Sequence, residues 1–399
     1  MNFNTLNEVE LNEKRVLVRV DLNLPFENGI VSDSSRIDRT IPTIRKILER
    51  NAQPILISHF GRPKGKFKPE LSLQKVVPYL SSRLKQEVVF SHDIIGPRVL
   101  QTLDRTKGKK IFLLENIRFE PGEENNDKEF VAELAKLGEM FCNDAFSVCH
   151  RAHASTVGLP TLLPSFAGSL LIEEILALES ALIRPIRPVT AVIGGSKVSS
   201  KIALLNNLIE KVDKIIIGGA MANTFLYAKG LCVGKSLCEK NLKETAINIL
   251  NRASAQNCEI QLPMDLVCAK EFKEGINSSI CNIDQCQNDV MILDLGPKSI
   301  QKFKNILKKS KTVLWNGPLG AFELKPFNHA TKVITEYVSE LTKNNFITSI
   351  AGGGDTVSAL NSAKVADNFT YLSNAGGAFL EWIEGTQLPG LRALEKNFK

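Results

Sequence analysis

Short runs of Val, Ile and Leu recur along the chain, and most are followed by a stretch with helical spacing. "KRVLVRVDLNLP" predicts a strand with a polar end. "IDRTIPTIRKILERN" predicts a helix, because its apolar positions return every three or four residues. "QPILISHFGRP" reads as a strand and "SLQKVVPYLSSRLKQ" as a helix, and "KKIFLLENIRF", "DKEFVAELAKLG" and "EMFCNDAF" give strand, helix, strand. After the Pro-rich "IRPIRPVT" the alternation restarts with "VTAVIGG", "SKVSSKIALLNNLIEKV" and "KIIIGGA", then a helical "MANTFLYAKG". "KTVLWNGPLG" and "NFITSIAGGGDTVSALNSA" follow later. Apolar strands between helices indicate parallel sheets buried on both faces. The expected fold class is α/β, with two doubly wound parallel-sheet (Rossmann-like) domains. "AGSLLIEEILALESALI" predicts a helix between them. The expected boundaries are 1–170 for the first domain, 171–186 for a connecting hinge helix and 187–376 for the second domain.

Composition narrows this picture. A chain of 399 residues exceeds one ordinary core, which favours two domains. With 43% hydrophobic residues it has too much apolar content for disorder. The uncharged window 154–172 contains Pro160, Pro164, Gly158 and Gly168 and runs into Glu173 and Glu174, which makes a poor bilayer span. The start, MNFNTLNEVELNEKRV, lacks a basic region followed by an apolar one, so no signal peptide is expected. A formal charge of +7 without a basic run fits small anionic metabolites better than nucleic acid.

Residues 140–156, "MFCNDAFSVCHRAHAST", look like metal or thiol chemistry. The eight cysteines match no zinc spacing, however, and read as free thiols in a reducing cytoplasm. Cys142 and Cys149 are expected to be buried small hydrophobes, and His150 and His153 to hydrogen-bond locally. Arg151 is the residue of interest in that stretch.

Ligands of open α/β sheets sit beyond the carboxyl ends of the strands. In the first half those ends carry Asp21 and Asn23, His59 and Arg62, Arg118 and Arg151, with Arg36 just before the first helix. Repeated guanidiniums suit a multiply charged anion, because the planar fork binds phosphate or carboxylate through two N–H groups. In the second half the ends carry Gly194-Gly195 with Lys197 and Lys201, Gly218-Gly219, Gly317, and Gly352-Gly353-Gly354-Asp355-Thr356. Glycine between strand and helix lets backbone N–H groups approach phosphates, and Asp355 there suits Mg²⁺. Lys197 and Lys201 are expected one helical turn apart, facing one phosphate chain. "GLCVGKS" (230–236) imitates a P-loop but spaces its glycines one residue too closely and follows a helix. The two halves together suggest a kinase with two substrates that closes about a hinge.

Eleven stretches carry a resemblance to the phosphoglycerate kinase family: "RVDLNLP", "SRID", "SHFGRP", "ENIRF", "HRAHAST", "GGSKVSSK", "GGAMANTF", "LPMD", "DLGP", "WNGPLGAFE" and "GGGDT". The resemblance covers essentially the whole length. It implies reversible phosphoryl transfer from 1,3-bisphosphoglycerate to MgADP, giving 3-phosphoglycerate and MgATP, by a cytoplasmic two-domain monomer. It places Asp21, Asn23, Arg36, His59, Arg62, Arg118 and Arg151 on substrate-binding positions. Lys197, Lys201, Asn316, Glu323, Gly353, Gly354, Asp355 and Thr356 fall on nucleotide and transition-state positions, with Asp355 holding Mg²⁺. It also implies that residues 377–399 pack back on the first domain. Departures are "SNAGGA" (373–378), with Asn374 and Ala375 where the family has Thr and Gly, and Glu173 where a lysine is expected.

Both possible nucleophiles, a phosphate oxygen of ADP and a carboxylate, are already ionised near neutral pH, so no general base is required. Arg36, Lys197 and Lys201 are the expected catalytic residues. A dehydrogenase would need GxGxxG, which is absent from the sequence. A two-lobed metabolite-binding protein would not need the Gly-Gly-Gly-Asp-Thr segment or the paired lysines.

Overall fold

The computed structural model describes residues 2–106 and 110–396. The chain divides into two compact units, one comprising Met1–Ile175 with Gln387–Lys399 and the other Leu176–Thr386.

The first unit contains β1 (Arg15–Arg19), β2 (Phe26–Glu27), β3 (Ile30–Val31), β4 (Gln53–Ile57), β5 (Val88–Ser91), β6 (Ile111–Leu114), β7 (Met140–Asn143) and β8 (Ser165–Ala167). Six of them form a parallel sheet in the order β5-β6-β4-β1-β7-β8, while β2 and β3 make a separate small ribbon. The helix Ser35–Glu49 turns Ile37, Ile41, Ile44, Ile47 and Leu48 inward, as its spacing predicts. These residues join Val16, Val18, Leu56 and Leu113 in one core. Each such side chain contributes roughly 1.5–3 kcal/mol by leaving water.

The second unit contains β9 (Val189–Ile193), β10 (Lys214–Ile217), β11 (Glu259–Gln261), β12 (Asp265–Ala269), β13 (Ser279–Asn282), β14 (Met291–Leu295), β15 (Thr312–Asn316), β16 (Thr348–Gly352) and β17 (Tyr371–Ser373). Its parallel sheet runs β11-β10-β9-β15-β16-β17, the strand order of dinucleotide-binding folds. The remaining three strands form an antiparallel sheet in the order β13-β12-β14. That small sheet, the β2–β3 ribbon and the short β5, β8, β11 and β17 have no counterpart in the expected elements. Three- and four-residue strands are too brief to show a period, and β14 is half-buried at three successive positions.

The predicted linking helix forms over Ser169–Leu182, and the division between units falls inside it, after Ile175. The last helical segment before the return, Gly377–Ile383, belongs to the second unit, so the return to the first begins at Gln387, ten residues later than expected. Asn207 explains the shift by donating to the Ile383 carbonyl at 2.7 Å. Within the first unit the C-terminal residues are tied by Gly390 N–H to the Cys149 carbonyl (2.8 Å) and by Lys396 N–H to that of Asn2 (3.0 Å).

Asp144, fully buried, starts the linking helix. Its Oδ1 accepts the N–H groups of Leu170 (2.9 Å) and Leu171 (3.3 Å), while Oδ2 has no hydrogen-bond partner among the described residues. Burial pushes this carboxyl up to about 7, against the opposing pull of the Thr43 hydroxyl, those two N–H groups and Arg39. The unfolded value is about 3.9, so the folded chain binds more protons between the two and loses stability as pH rises from about 4 to about 7. Asp144→Asn lacks this titration. Its melting temperature should therefore fall less than the parent's across that interval in thermal scans, and equal slopes would remove Asp144 from the account.

Candidate functional site

In the first sheet the strand order reverses between β1 and β7, and the chain beyond both strands meets there. Asp21, just after β1, accepts from Arg36 Nη1 and from the Ser147 hydroxyl, each at 2.6 Å on Oδ2. Its Oδ1 accepts Asn23 N–H at 3.1 Å, and Asn23 Oδ1 in turn accepts Gly61 N–H at 2.9 Å. Burial pushes the Asp21 carboxyl up, but the Arg36 charge, His59, the Ser147 hydroxyl and Asn23 N–H bring it down to about 2. Asp21 is therefore ionised, and it holds one edge of the Arg36 guanidinium.

His59 is buried at the end of β4, with its Nδ1 3.1 Å from Arg19 Nη2. Arginine can only donate, so Nδ1 accepts and the ring proton sits on Nε2. Burial holds His59 well below its ordinary value, reinforced by Arg19, Arg118 and Arg36 and opposed by Asp21. The ring is neutral and offers an N–H. Arg19 is itself fully buried on β1, donating to Ser155 Oγ at 3.0 Å and to the Val20 carbonyl. Ser155 donates to buried Glu123 at 2.6 Å. Arg118 donates to the Gly61 carbonyl (3.0 Å) and pairs with Glu124 (3.2 Å). Burial lowers its pKa, Glu124 and Glu123 oppose this, and Arg151 and Arg62 add like-charge repulsion. Arg62 and Arg151 are exposed. The seven expected residues of this half thus converge, and four more join them. Arg19 lies in a strand, Ser147 in a turn, and Glu123 and Ser155 in short helical segments far apart in sequence, with no local signal.

The second sheet reverses between β9 and β15. Beyond these strands Lys201 Nζ donates to Asn316 Oδ1, and Asn316 Nδ2 donates to the Gly352 carbonyl at 2.8 Å. Burial lowers the Lys201 ammonium, opposed by Glu384 and Asp355. Buried Thr356 accepts Gly317 N–H on Oγ1 at 2.7 Å, so its hydroxyl holds the neighbouring loop. Gly353 has φ 100°, and a Cβ there would lie 2.6 Å from Asn316 Nδ2, so glycine is required. Gly354 opens the helix Gly354–Ser362 and is exposed, as is Asp355. Lys197 needs correction: the regular helix begins only at Ile202, after a turn over Ser199–Lys201. Lys197 is exposed in the preceding loop rather than one helical turn from Lys201. Glu239, which accepts Ser199 N–H (2.9 Å) and hydroxyl (2.6 Å), feels its charge.

A cavity of about 430 Å³ opens beside these residues, entirely within the second unit. Gly195, Gly219, Leu237, Phe272 and Leu319 form much of its wall, with Asp294, Glu323 and Asp355 as carboxyl groups. In "SNAGGA" the left-handed backbone falls on Gly376 (φ 54°), and neither Asn374 nor Ala375 has positive φ. The missing glycine there costs no strain. Glu173 lies 3.7 Å from Arg39, within the first unit. The P-loop imitation follows the helix Met221–Ala228, as expected. Cys142 and Cys149 are buried free thiols, and among the described residues no group of three His, Cys, Asp or Glu is placed to hold a metal. Nor, among them, is any helix long and apolar enough to cross a membrane.

The phosphoglycerate kinase family model matches residues 6–386. A phosphoglycerate kinase of Ruegeria sp. (strain TM1040) is 52% identical over 395 residues, covering 99% of this chain and 100% of its own. One from Jannaschia sp. (strain CCS1) is 53% identical, with 99% of both chains covered. Among solved structures, phosphoglycerate kinase from Coxiella burnetii superposes with a TM-score of 0.91 at 39% identity, covering all of both chains. That from Pyrococcus horikoshii OT3 gives 0.81 at 27% identity over 98% of each. The chain therefore belongs to the phosphoglycerate kinase family and carries out its glycolytic reaction, reversible phosphoryl transfer between 1,3-bisphosphoglycerate and ADP to give 3-phosphoglycerate and ATP.

Proposed function

We propose that the first unit holds the phosphoglycerate and the second the nucleotide, and that no side chain acts as a general base. The observation that carries this reading is the contrast at the two strand reversals. Guanidiniums and a neutral imidazole converge in one unit, and a largely apolar cavity with glycines at its strand ends and three carboxyl groups opens in the other.

Asp21, Asn23, His59, Arg62, Arg118 and Arg151 position the triose. Arg118, half-buried, anchors an anion more strongly than exposed Arg62 and Arg151 because less water competes for it. His59 contributes the Nε2–H that Arg19 fixes. Arg36 neutralises charge on the group in transfer while Asp21 keeps its guanidinium in one plane. Lys201 is oriented by Asn316 toward the nucleotide phosphates, and Lys197 supplies a second, mobile charge. The amides of Gly353 and Gly354 and the loop held by Thr356 receive phosphate oxygens, and Glu323 takes the ribose hydroxyls.

Asp355 is an exposed carboxylate in the first turn of its helix and on the cavity wall. A single carboxylate beside a phosphate site fits Mg²⁺, which takes its other ligands from phosphate and water. Bound there, Mg²⁺ would draw charge from the nucleotide phosphates. Because transfer needs both substrates in line, the reading includes bending about the linking helix, in a cytoplasmic monomer.

Arg36→Ala should lower kcat about 10³-fold in a coupled ATP-formation assay, whereas Arg151→Ala should mainly raise KM for 3-phosphoglycerate. A near-normal kcat for the first, or an unchanged KM for the second, contradicts its role. His59 should stay neutral through pH 6.5, so its imidazole resonances should show no midpoint near the ordinary value. A midpoint near the ordinary value of about 6.5 would refute the fixed N–H donor.

A further inference from the structure

Four of the eight cysteines gather in the second unit, outside the residues assigned above. Cys268 on β12 and Cys281 on β13 bring their Sγ atoms to 3.7 Å. The register pairs Leu266 with Cys281 and Cys268 with Ser279, so the two thiols are diagonal neighbours on one face. Cys286 neighbours both Cys268 and Cys232. On its other side β12 pairs with β14, and the register shifts between Val267 and Cys268. Cys268 there lies opposite Ile292, which lines the cavity together with Leu266 and Leu293.

We propose that Cys268 and Cys281 form a redox-active dithiol, a modification site for low-molecular-weight disulfides whose closure reshapes the adjoining cavity. The consequence for substrate rests on the nucleotide reading of that cavity.

The sulfurs already touch, and a disulfide needs about 2.05 Å, so closure draws them together by roughly 1.7 Å. Cys281 is half-buried and Cys268 buried, which sets the order of events. The Cys281 thiolate attacks one sulfur of glutathione disulfide, and the S–S electron pair leaves with the first glutathione. Cys268, as thiolate, then attacks the Cys281 sulfur and expels the second. The protein loses two hydrogens and two electrons, and glutathione disulfide is reduced to two thiols. Burial, Cys281 and Cys286 all push the Cys268 thiol up, so the second step is slow near neutrality. Its rate should climb about tenfold per pH unit. The movement pulls on the irregular β12–β14 pairing, and so on the wall formed by Ile292 and Leu293.

The test exposes the full-length protein to oxidised glutathione at mildly alkaline pH. Titration of denatured thiols, peptide mapping and steady-state kinetics follow. The expected result is a loss of two thiols, a peptide joining Cys268 to Cys281 and a several-fold change in KM for ADP. KM for the phosphoglycerate should hold, dithiothreitol should reverse the effect, and Cys281→Ser should abolish both link and effect while keeping basal activity. Persistent mixed disulfides, or a link joining Cys232 to Cys286, would overturn the pair. A Cys268–Cys281 link with unchanged KM for ADP would overturn its coupling to the cavity. Glu323→Ala in the reduced protein separates the two readings, because an unchanged KM for ADP there marks failure of the nucleotide assignment, whereas the mapped link does not depend on it.

Discussion

A parallel sheet covered by helices on both faces has no wet face on which to build a site. Polar chemistry is forced to the strand ends, and room for a ligand opens only where the strand order reverses. Both units obey this constraint. In the first, the reversal separates β1 from β7, and Asp21 joins the two sides through Ser147. In the second, it separates β9 from β15, where Lys201 reaches Asn316. The same architecture therefore supports two chemistries, set by which residues follow the strands.

Buried polar side chains hold those ends in shape. Asp265 accepts the N–H groups of Lys298 (2.9 Å) and Ser299 (2.7 Å), starting the helix Pro297–Lys309. Glu115 accepts from the Ser72 hydroxyl (2.6 Å) and Leu73 N–H (2.9 Å). Asp294 accepts Ala330 N–H at 2.9 Å, and burial pushes its carboxyl up to about 7. Each carboxyl group accepts from amides that a helix start leaves unpaired. Removing one would strand buried donors, at a cost of about 1–3 kcal/mol each.

Much of this was legible in the sequence. Apolar runs ending in Arg, His or Gly marked strand ends, and the glycines at 353 and 354 stood where a strand meets a helix. Arg19 could not be read. In "RVLVRV" it looks like the wet position of an alternating strand, and only a sheet covered on both faces makes it a buried partner for His59. Ser155 and Glu123 meet from sequence positions far apart, so no window contains both. The expected Lys197–Lys201 pairing assumed helical spacing, which the turn over Ser199–Lys201 breaks. The apolar cavity wall draws on Leu237, which follows the P-loop imitation, and on Phe272, and neither belongs to a stretch that reads as a ligand site.

The division of labour between the units is the central claim, and amide NMR titrations with one substrate at a time test it most directly. ADP alone should perturb amides around Gly195, Gly219, Gly317, Gly353 and Asp355 and leave those around Asp21, His59 and Arg118 in place. 3-Phosphoglycerate alone should do the reverse. Perturbation of the first unit's strand ends by ADP, or of the second unit's cavity by 3-phosphoglycerate, would contradict the account.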